Sequence, residues 1–313
     1  MLSVGRALDR GRLRRPAEPP DRRRPRHAGA DRGGRREARA AASAAAQRRS
    51  PPRRWPAALL WALLASVCLA APACARADAA PAAPRRLRVE VLERRPHDPA
   101  AFTQGFEVSD GVLYESTGLV GRSSLRATDA VTGEVHRAVA LPAPLFGEGL
   151  TVVGDRIWQL TWQDGVAVEW DAATFAERRR VRYDGEGWGL CYDGDRLVMS
   201  DGTARLTFRD PATFAPTGEV TVRRAGVEQP LLNELECHGG TVWANIWQHE
   251  ELVAIDPATG RVTAVVDAAG LLPAAQRAGA DVLNGIAAVP DTDEFLLTGK
   301  LWPFVYRVRF VAA

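Results

Sequence analysis

One five-residue phrase returns four times along the chain: DAVTG at 129–133, DAATF at 171–175, DPATF at 210–214 and DPATG at 256–260. Its leading aspartates, at 129, 171, 210 and 256, are separated by 42, 39 and 46 residues. Asp at the first turn position, Pro at the second in two copies, and Thr or Gly near the end describe a tight turn between strands. A unit repeating at this spacing cannot bury its apolar face alone and must stack on its neighbours.

A second phrase marks the other end of each unit: QGF at 104–106, EGL at 148–150, WGL at 188–190, NEL at 233–235 and NGI at 284–286. Each is followed by a turn (SDG, VGD, YDGD, HGG, PDTDE) and then a β-like run (VLYEST, RIWQLTW, RLVMSD, TVWANIW, FLLTGK). Strands at short, even spacing with Asp-Gly punctuation predict an all-β chain. The period predicts a five-bladed β-propeller spanning 85–313, with four strands to a blade. The segment LRVEVLE at 87–93 has strand alternation and no unit of its own. It is expected to complete the last blade and close the ring, which removes an open sheet edge. The stretch 267–281 places Leu271, Leu272 and Ala275 at helical spacing and predicts a short helical insertion.

Blade equivalence gives Gln104, Glu148, Trp188, Asn233 and Asn284 the same place, the start of the innermost strand, at one mouth of the central channel. Glycine beside these positions would keep the backbones close. Trp162 and Trp247 follow Glu148 and Asn233 by 14 residues, and Lys300 follows Asn284 by 16, so they form a second tier at the same mouth. Phe146, Trp188 and Trp302 add aromatic area. Lys300 is the only lysine in the chain. Taken singly, tryptophans in such a fold are mostly packing, and inner-strand Asn and Glu hold water or a cation. Glu148, Asn233 and Lys300 together point to a site, because convergent polar groups in an apolar pocket are its usual mark.

The motifs FTQGF, ESTGLVGRSSLR, FGEGLT, QLTW, EGWGL, LNELE, VWANIW, DVLNGIA and TGKLWP occur in order between Phe102 and Tyr306. In this the chain resembles the plant- and bacterial-type glutaminyl cyclases, the glutaminyl-peptide cyclotransferases. The resemblance implies a five-bladed propeller that converts the N-terminal Gln of peptides and proteins to pyroglutamate with loss of ammonia, without a catalytic metal. By motif it implies Glu148 as the catalytic acid, with Asn233 and Lys300 beside it. It assigns substrate binding to Phe102, Gln104, Phe146, Trp162, Trp188 and Trp247. Two departures are small: Leu119-Val120 stand where a tyrosine-like residue is expected, and Cys191 interrupts LCYDG.

The expected chemistry is attack of the substrate's α-amine on its own side-chain amide. Glu148 would carry a proton from amine to leaving group, and burial would raise its pKa. Asn233 and Lys300 could stabilise the oxyanion. Lys300 could instead hold Glu148 ionised, and the sequence leaves both open. No cofactor is expected; a structural cation on the channel axis is a separate role open to the inner-strand acids. A non-catalytic peptide- or ligand-binding propeller is the alternative function. A glycosidase needs a second acid at a set distance, for which only Glu234 and Glu236 lie near. His97, His136, His238 and His249 lack metal-ligand spacing such as H-E-x-x-H.

The charge is split. Residues 1–54 hold 17 Arg and 5 acids, and the remainder holds 24 basic and 33 acidic residues. The arginine-rich leader shows no apolar periodicity or interleaved aromatics, so it reads as a disordered n-region or an early start codon, not a nucleic-acid arm. Residues 55–79 carry an uncharged stretch and A-x-A sites, the pattern of a signal peptide. Its apolar part is short against the roughly 20 residues of a spanning helix; an uncleaved anchor is the other reading. Both predict export to the periplasm or medium, with contact to a membrane only through that segment, and a monomer is expected. An oxidising compartment would permit a Cys191–Cys237 bridge, with two buried thiols the equal alternative.

Overall fold

The computed structural model describes residues 82–313. The leader at 1–54 and the apolar segment at 55–79 lie outside the described residues. Among the described residues the chain is all-β, its one helical element being a three-residue 3-10 turn, Ala274–Gln276. That turn is all that forms of the helical insertion expected over 267–281. Pro273 and the glycines at 270 and 279, both with positive φ, interrupt the segment.

The first strand, β1 (Arg85–Pro96), precedes the repeat. An antiparallel meander follows, made of β2 (Thr103–Ser109), β3 (Val112–Thr117), β4 (Ser124–Thr128) and β5 (Val135–Ala140). A second comprises β6 (Gly147–Val153), β7 (Arg156–Thr161), β8 (Val166–Asp171) and β9 (Glu177–Arg182). A third comprises β10 (Leu190–Tyr192), β11 (Leu197–Ser200), β12 (Arg205–Arg209) and β13 (Pro216–Thr221). After a short ribbon, β14 (Arg223–Arg224) and β15 (Val227–Glu228), come β16 (Leu232–His238), β17 (Thr241–Ile246), β18 (Glu251–Ile255) and β19 (Val262–Asp267). The last unit is β20 (Leu283–Ala288), β21 (Glu294–Gly299) and β22 (Phe304–Ala312). These two final groups form one sheet, because β1 lies between them, antiparallel to β22 and parallel to β19.

The recurring Asp phrase is the hairpin between the third and fourth strands of each of the first four units. Asp129 Oδ1 accepts the backbone N–H groups of Val131 and Thr132 at 2.9 and 2.7 Å. Asp171 and Asp210 make the same pair of bonds two and three residues on. The fifth residue of the phrase is left-handed each time, with φ of 72° at Gly133, 59° at Phe175, 64° at Phe214 and 70° at Gly260. Phenylalanine is costly there. Its ring repays that cost by packing on the preceding unit: Phe175 meets Tyr114, and Phe214 meets Trp158 and Tyr183.

Apolar clusters fill the gaps between successive units. Leu125 of the first unit packs with Leu150 and Ile157 of the second, and Leu160 of the second with Leu190 and Leu197 of the third. Val198 of the third meets Leu235 and Val253 of the fourth. Leu252 and Val266 meet Leu297 and Val308, and Ala287 and Leu296 return to Phe106 and Leu113 of the first unit. The first strands follow the same cycle: β2 adjoins β6, β6 adjoins β10, β10 adjoins β16, β16 adjoins β20, and β20 adjoins β2. A disulfide between Cys191 and Cys237 crosses from β10 to β16.

Each first strand is hydrogen-bonded into its own sheet along one edge only. Backbone N–H groups left over there must find other acceptors. Side chains of neighbouring units supply them. Glu234 accepts Phe106 N–H at 3.2 Å and Ile286 N–H at 2.8 Å, bridging three units with one carboxyl. Asn245 Oδ1 accepts Gly285 N–H, Glu107 accepts Val152 N–H, and Glu236 accepts Ala288 N–H. Burial pushes all three carboxyls up, Glu107 to about 7.

Close approach of the first strands needs glycine. A Cβ on Gly149 would lie 2.6 Å from Leu190 N and 2.7 Å from Trp188 O, and one on Gly189 would collide with the Asn233 carbonyl. Gly189→Ala is therefore expected to cost about 1–3 kcal/mol as overpacking. At about 2–4 °C per kcal/mol for a domain of this size, calorimetry should show a Tm lower by roughly 3–10 °C. Replacing both bridged cysteines by serine should lower stability by about 2–4 kcal/mol, read from the denaturant midpoint.

Candidate active site

The positions equivalent by repeat are also positions where the ladder breaks. Register shifts fall between Thr103 and Gly105, between Gly147 and Leu150, between Leu232 and Leu235, and between Leu283 and Ile286. These gaps contain Gln104, Glu148, Asn233 and Asn284. A bulge frees its residue from the alternation of the strand and re-aims its side chain. The third unit differs. Trp188 lies two residues before β10 rather than inside it, so it contributes a loop side chain where the other units contribute a bulge.

The bulges build a buried polar floor. Glu148 is 5 % exposed, Asn233 2 % and Lys300 6 %. Gln104 Nε2 donates to Glu148 Oε1 at 3.0 Å, and Asn284 Nδ2 donates to Gln104 Oε1 at 3.4 Å and to Thr103 O at 3.0 Å. Above the floor runs a chain of half-buried aromatic rings. Lys300 Nζ sits 5.0 Å from the centre of Phe102. Phe102 meets Phe146 edge-on at 6.2 Å, and Phe146 meets Trp162 at 5.6 Å. Trp188 meets Trp247 at 5.4 Å. The gap between Trp162 and Trp188 is spanned by Glu186, which accepts both indole N–H groups.

These contacts connect Gln104, Glu148, Lys300, Phe102, Phe146, Trp162, Trp188 and Trp247. Asn233 is the loosest member: its backbone carbonyl accepts from Ser200 Oγ, and its side-chain amide has no hydrogen-bond partner among the described residues. Trp302 is not part of the wall. It is buried in the cluster with Tyr306 and donates its indole N–H to Asp281 O. Glu186 was not singled out from the sequence, because it falls outside the repeat-equivalent positions. Its signal in the sequence is its place at the head of the EGWGL motif, two residues before Trp188.

Glu148 differs from the other glutamates of the first strands. Glu107, Glu234 and Glu236 each accept a backbone N–H. Glu148 accepts none, and its partner is the side chain of Gln104. Burial raises its pKa well above the ordinary carboxylate range; the Lys300 charge opposes this, and that of Glu186 adds to it. Burial likewise lowers the Lys300 pKa, against the pull of Glu148 and Asp281. The site therefore holds an acid and an amine that are both pushed toward their uncharged forms. Such a shift brings the two groups closer together in proton affinity, and a carboxyl spared from fold duties is free to transfer a proton.

Among the described residues no group of three or more His, Cys, Asp or Glu is disposed to hold a metal ion.

A family model described as glutamine cyclotransferase matches residues 60–310. A glutaminyl-peptide cyclotransferase of Arabidopsis thaliana is 39% identical over 231 residues, covering 72% of this chain and 72% of its own. The crystal structure of Myxococcus xanthus glutaminyl cyclase is 40% identical, with a TM-score of 0.69 over 74% of this chain and 99% of that one. Glu148, the aromatic wall and Lys300 all lie within the matched span, and the chain belongs to the glutamine cyclotransferase family.

Proposed function

We propose that the protein is a glutaminyl-peptide cyclotransferase built as a five-bladed propeller, with β1 closing the ring as the outer strand of the last blade. The closed cycle of first strands and the β1–β22 pairing support the architecture. Family membership supports the reaction. One observation carries the assignment of chemistry to residues: Glu148 is buried, free of any backbone N–H, and walled by aromatic rings.

The substrate's N-terminal Gln folds back so that its α-nitrogen reaches its own side-chain carbonyl carbon. Phe102, Phe146, Trp162, Trp188 and Trp247 hold that compact shape and exclude water, which supplies the proximity contribution. The amine attacks in its neutral form, accessible because its pKa is about 8. A C–N bond forms, and the carbonyl oxygen gains charge facing the unused amide of Asn233 and the amine of Lys300. Glu148, ionised, takes the proton released by the attacking nitrogen. Now protonated, it hands that proton to the departing nitrogen as the amide C–N bond breaks. Pyroglutamyl peptide and ammonia result, and Glu148 returns to its starting state. A raised pKa suits both halves of this shuttle. Gln104 fixes the orientation of the carboxyl. Lys300 does not hold Glu148 in the ordinary carboxylate range, since burial outweighs its charge.

No metal takes part in this scheme. A structural cation on the axis draws no support from the described carboxyls: Glu107, Glu234 and Glu236 influence one another but form no group disposed to hold a metal ion. Their carboxyls already serve the strand edges. The proposed setting is a monomer exported to an oxidising compartment, for which the Cys191–Cys237 bridge is the support.

Incubation with a Gln-initiated peptide should release ammonia and leave a product lighter by that mass. Glu148→Gln should retain the fold and lower kcat by about 10²–10⁴-fold. Activity should survive a strong chelator. Binding of the peptide with no ammonia released would instead select the non-catalytic reading. Because Glu148 must be ionised to accept the proton, activity falls as pH drops through its pKa. Lys300→Met removes the charge that lowers that pKa, so the acid limb of the kcat profile should move to higher pH.

A further inference from the structure

We propose that Glu186 is a positioning residue: one carboxylate clamps the indoles of Trp162 and Trp188 into a single wall of the site. This rests on the cyclase reading for its kinetic consequences, though not for the clamp itself.

Glu186 lies in the loop between β9 and β10. Its Oε2 accepts Trp162 Nε1 at 2.7 Å and Trp188 Nε1 at 2.9 Å, while Oε1 accepts Gln163 Nε2 at 2.9 Å. Every donor is neutral, and no Arg, Lys or His pairs with it among the described residues. A half-exposed indole N–H needs no carboxylate, since water would serve. What the carboxylate adds is one oxygen shared by two rings. Trp162 comes from the end of β7 and Trp188 from the approach to β10, two different repeat units. The clamp is thus the link between the Phe102–Phe146–Trp162 arm and the Trp188–Trp247 arm.

The surroundings fix the clamp from below. Trp188 lies across Gly202, where a Cβ would come 2.7 Å from the indole. Gly187, between Glu186 and Trp188, has room for no Cβ against the Tyr183 hydroxyl, which itself donates to Thr161 O. Hydrogen bonds from Trp188, Gln163 and Trp162 lower the Glu186 pKa against partial desolvation, so its charge persists.

The charge acts on Glu148. Facing that carboxyl are Lys300 beyond β21, Gln104 on β2, the Tyr183 phenol after β9, and Glu186. Lys300 favours the ionised form and Glu186 opposes it. Removing the Glu186 charge should ease ionisation of Glu148.

The two roles separate in three variants, Glu186→Gln, Glu186→Asp and Glu186→Ala, assayed for kcat, KM, pH profile and near-UV circular dichroism. Glu186→Gln keeps an acceptor and loses the charge; its acid limb of kcat should move to lower pH, opposite to Lys300→Met. Glu186→Asp keeps the charge and loses reach; its acid limb should stay with wild type while KM rises. Glu186→Ala should show both changes, with KM raised roughly tenfold, the value of one charge-assisted hydrogen bond. Its near-UV spectrum should change as the indoles loosen, with the far-UV spectrum unaltered. Wild-type near-UV spectrum, KM and acid limb in Glu186→Ala would overturn the proposal. A wild type that releases no ammonia would end the cyclase reading, and the near-UV spectra would still decide the clamp.

Discussion

A strand that heads a meander leaves one edge without a partner, and in this chain those edges are brought together at the centre. Backbone N–H groups there cannot reach water freely and cannot all reach one another. Glu234, Glu236, Glu107 and Asn245 supply the missing acceptors. The requirement accounts for Glu234 and Glu236, two acids buried in a largely apolar core. It also supplies a standard for Glu148, a buried carboxyl in an equivalent strand that does no such work.

The site grows from the same constraint. The first strands can adjoin only where glycines at 105, 149 and 189 remove the intervening Cβ. Beside Gly105 and Gly149, and at the matching places in the fourth and fifth units, the ladders slip by a bulge, and the slipped residue turns its side chain out of the regular alternation. Gln104, Glu148, Asn233 and Asn284 are those residues. A polar floor therefore arises from the geometry of close packing, and the aromatic rings that follow the second strands form the rim above it.

Much of this was legible because it repeats. The aspartate of four hairpins, the glycine beside four of the five inner positions and the 14-residue offset from Glu148 to Trp162 recur from unit to unit, and repetition turns a local pattern into a spatial one. Where a feature occurs once, the sequence was mute. Glu186 belongs to no repeat position, and only its two indole contacts disclose it. The acids of the strand edges look, in sequence, like Glu148; their backbone partners come from units far along the chain. Trp302 shares the composition of the wall residues yet turns into the core, because its indole is satisfied by Asp281. The stretch at 267–281 has helical spacing over too few uninterrupted residues to nucleate a helix. Cys191 and Cys237 occupy like positions in neighbouring units, which fits a bridge and two thiols equally until the strands are placed.

β1 gives the molecule a vulnerability at one end. Its residues Arg85 to Arg88 pair with β19, and from Leu87 onward the strand also pairs with β22. Proteolytic trimming from Arg85 onward would strip the β19 ladder first and then the β22 ladder, baring strands of the kind that recruit further copies into aggregates. Tags and truncations for recombinant work therefore have very little slack: they belong upstream of that residue, and a nick there threatens solubility before it touches the chemistry.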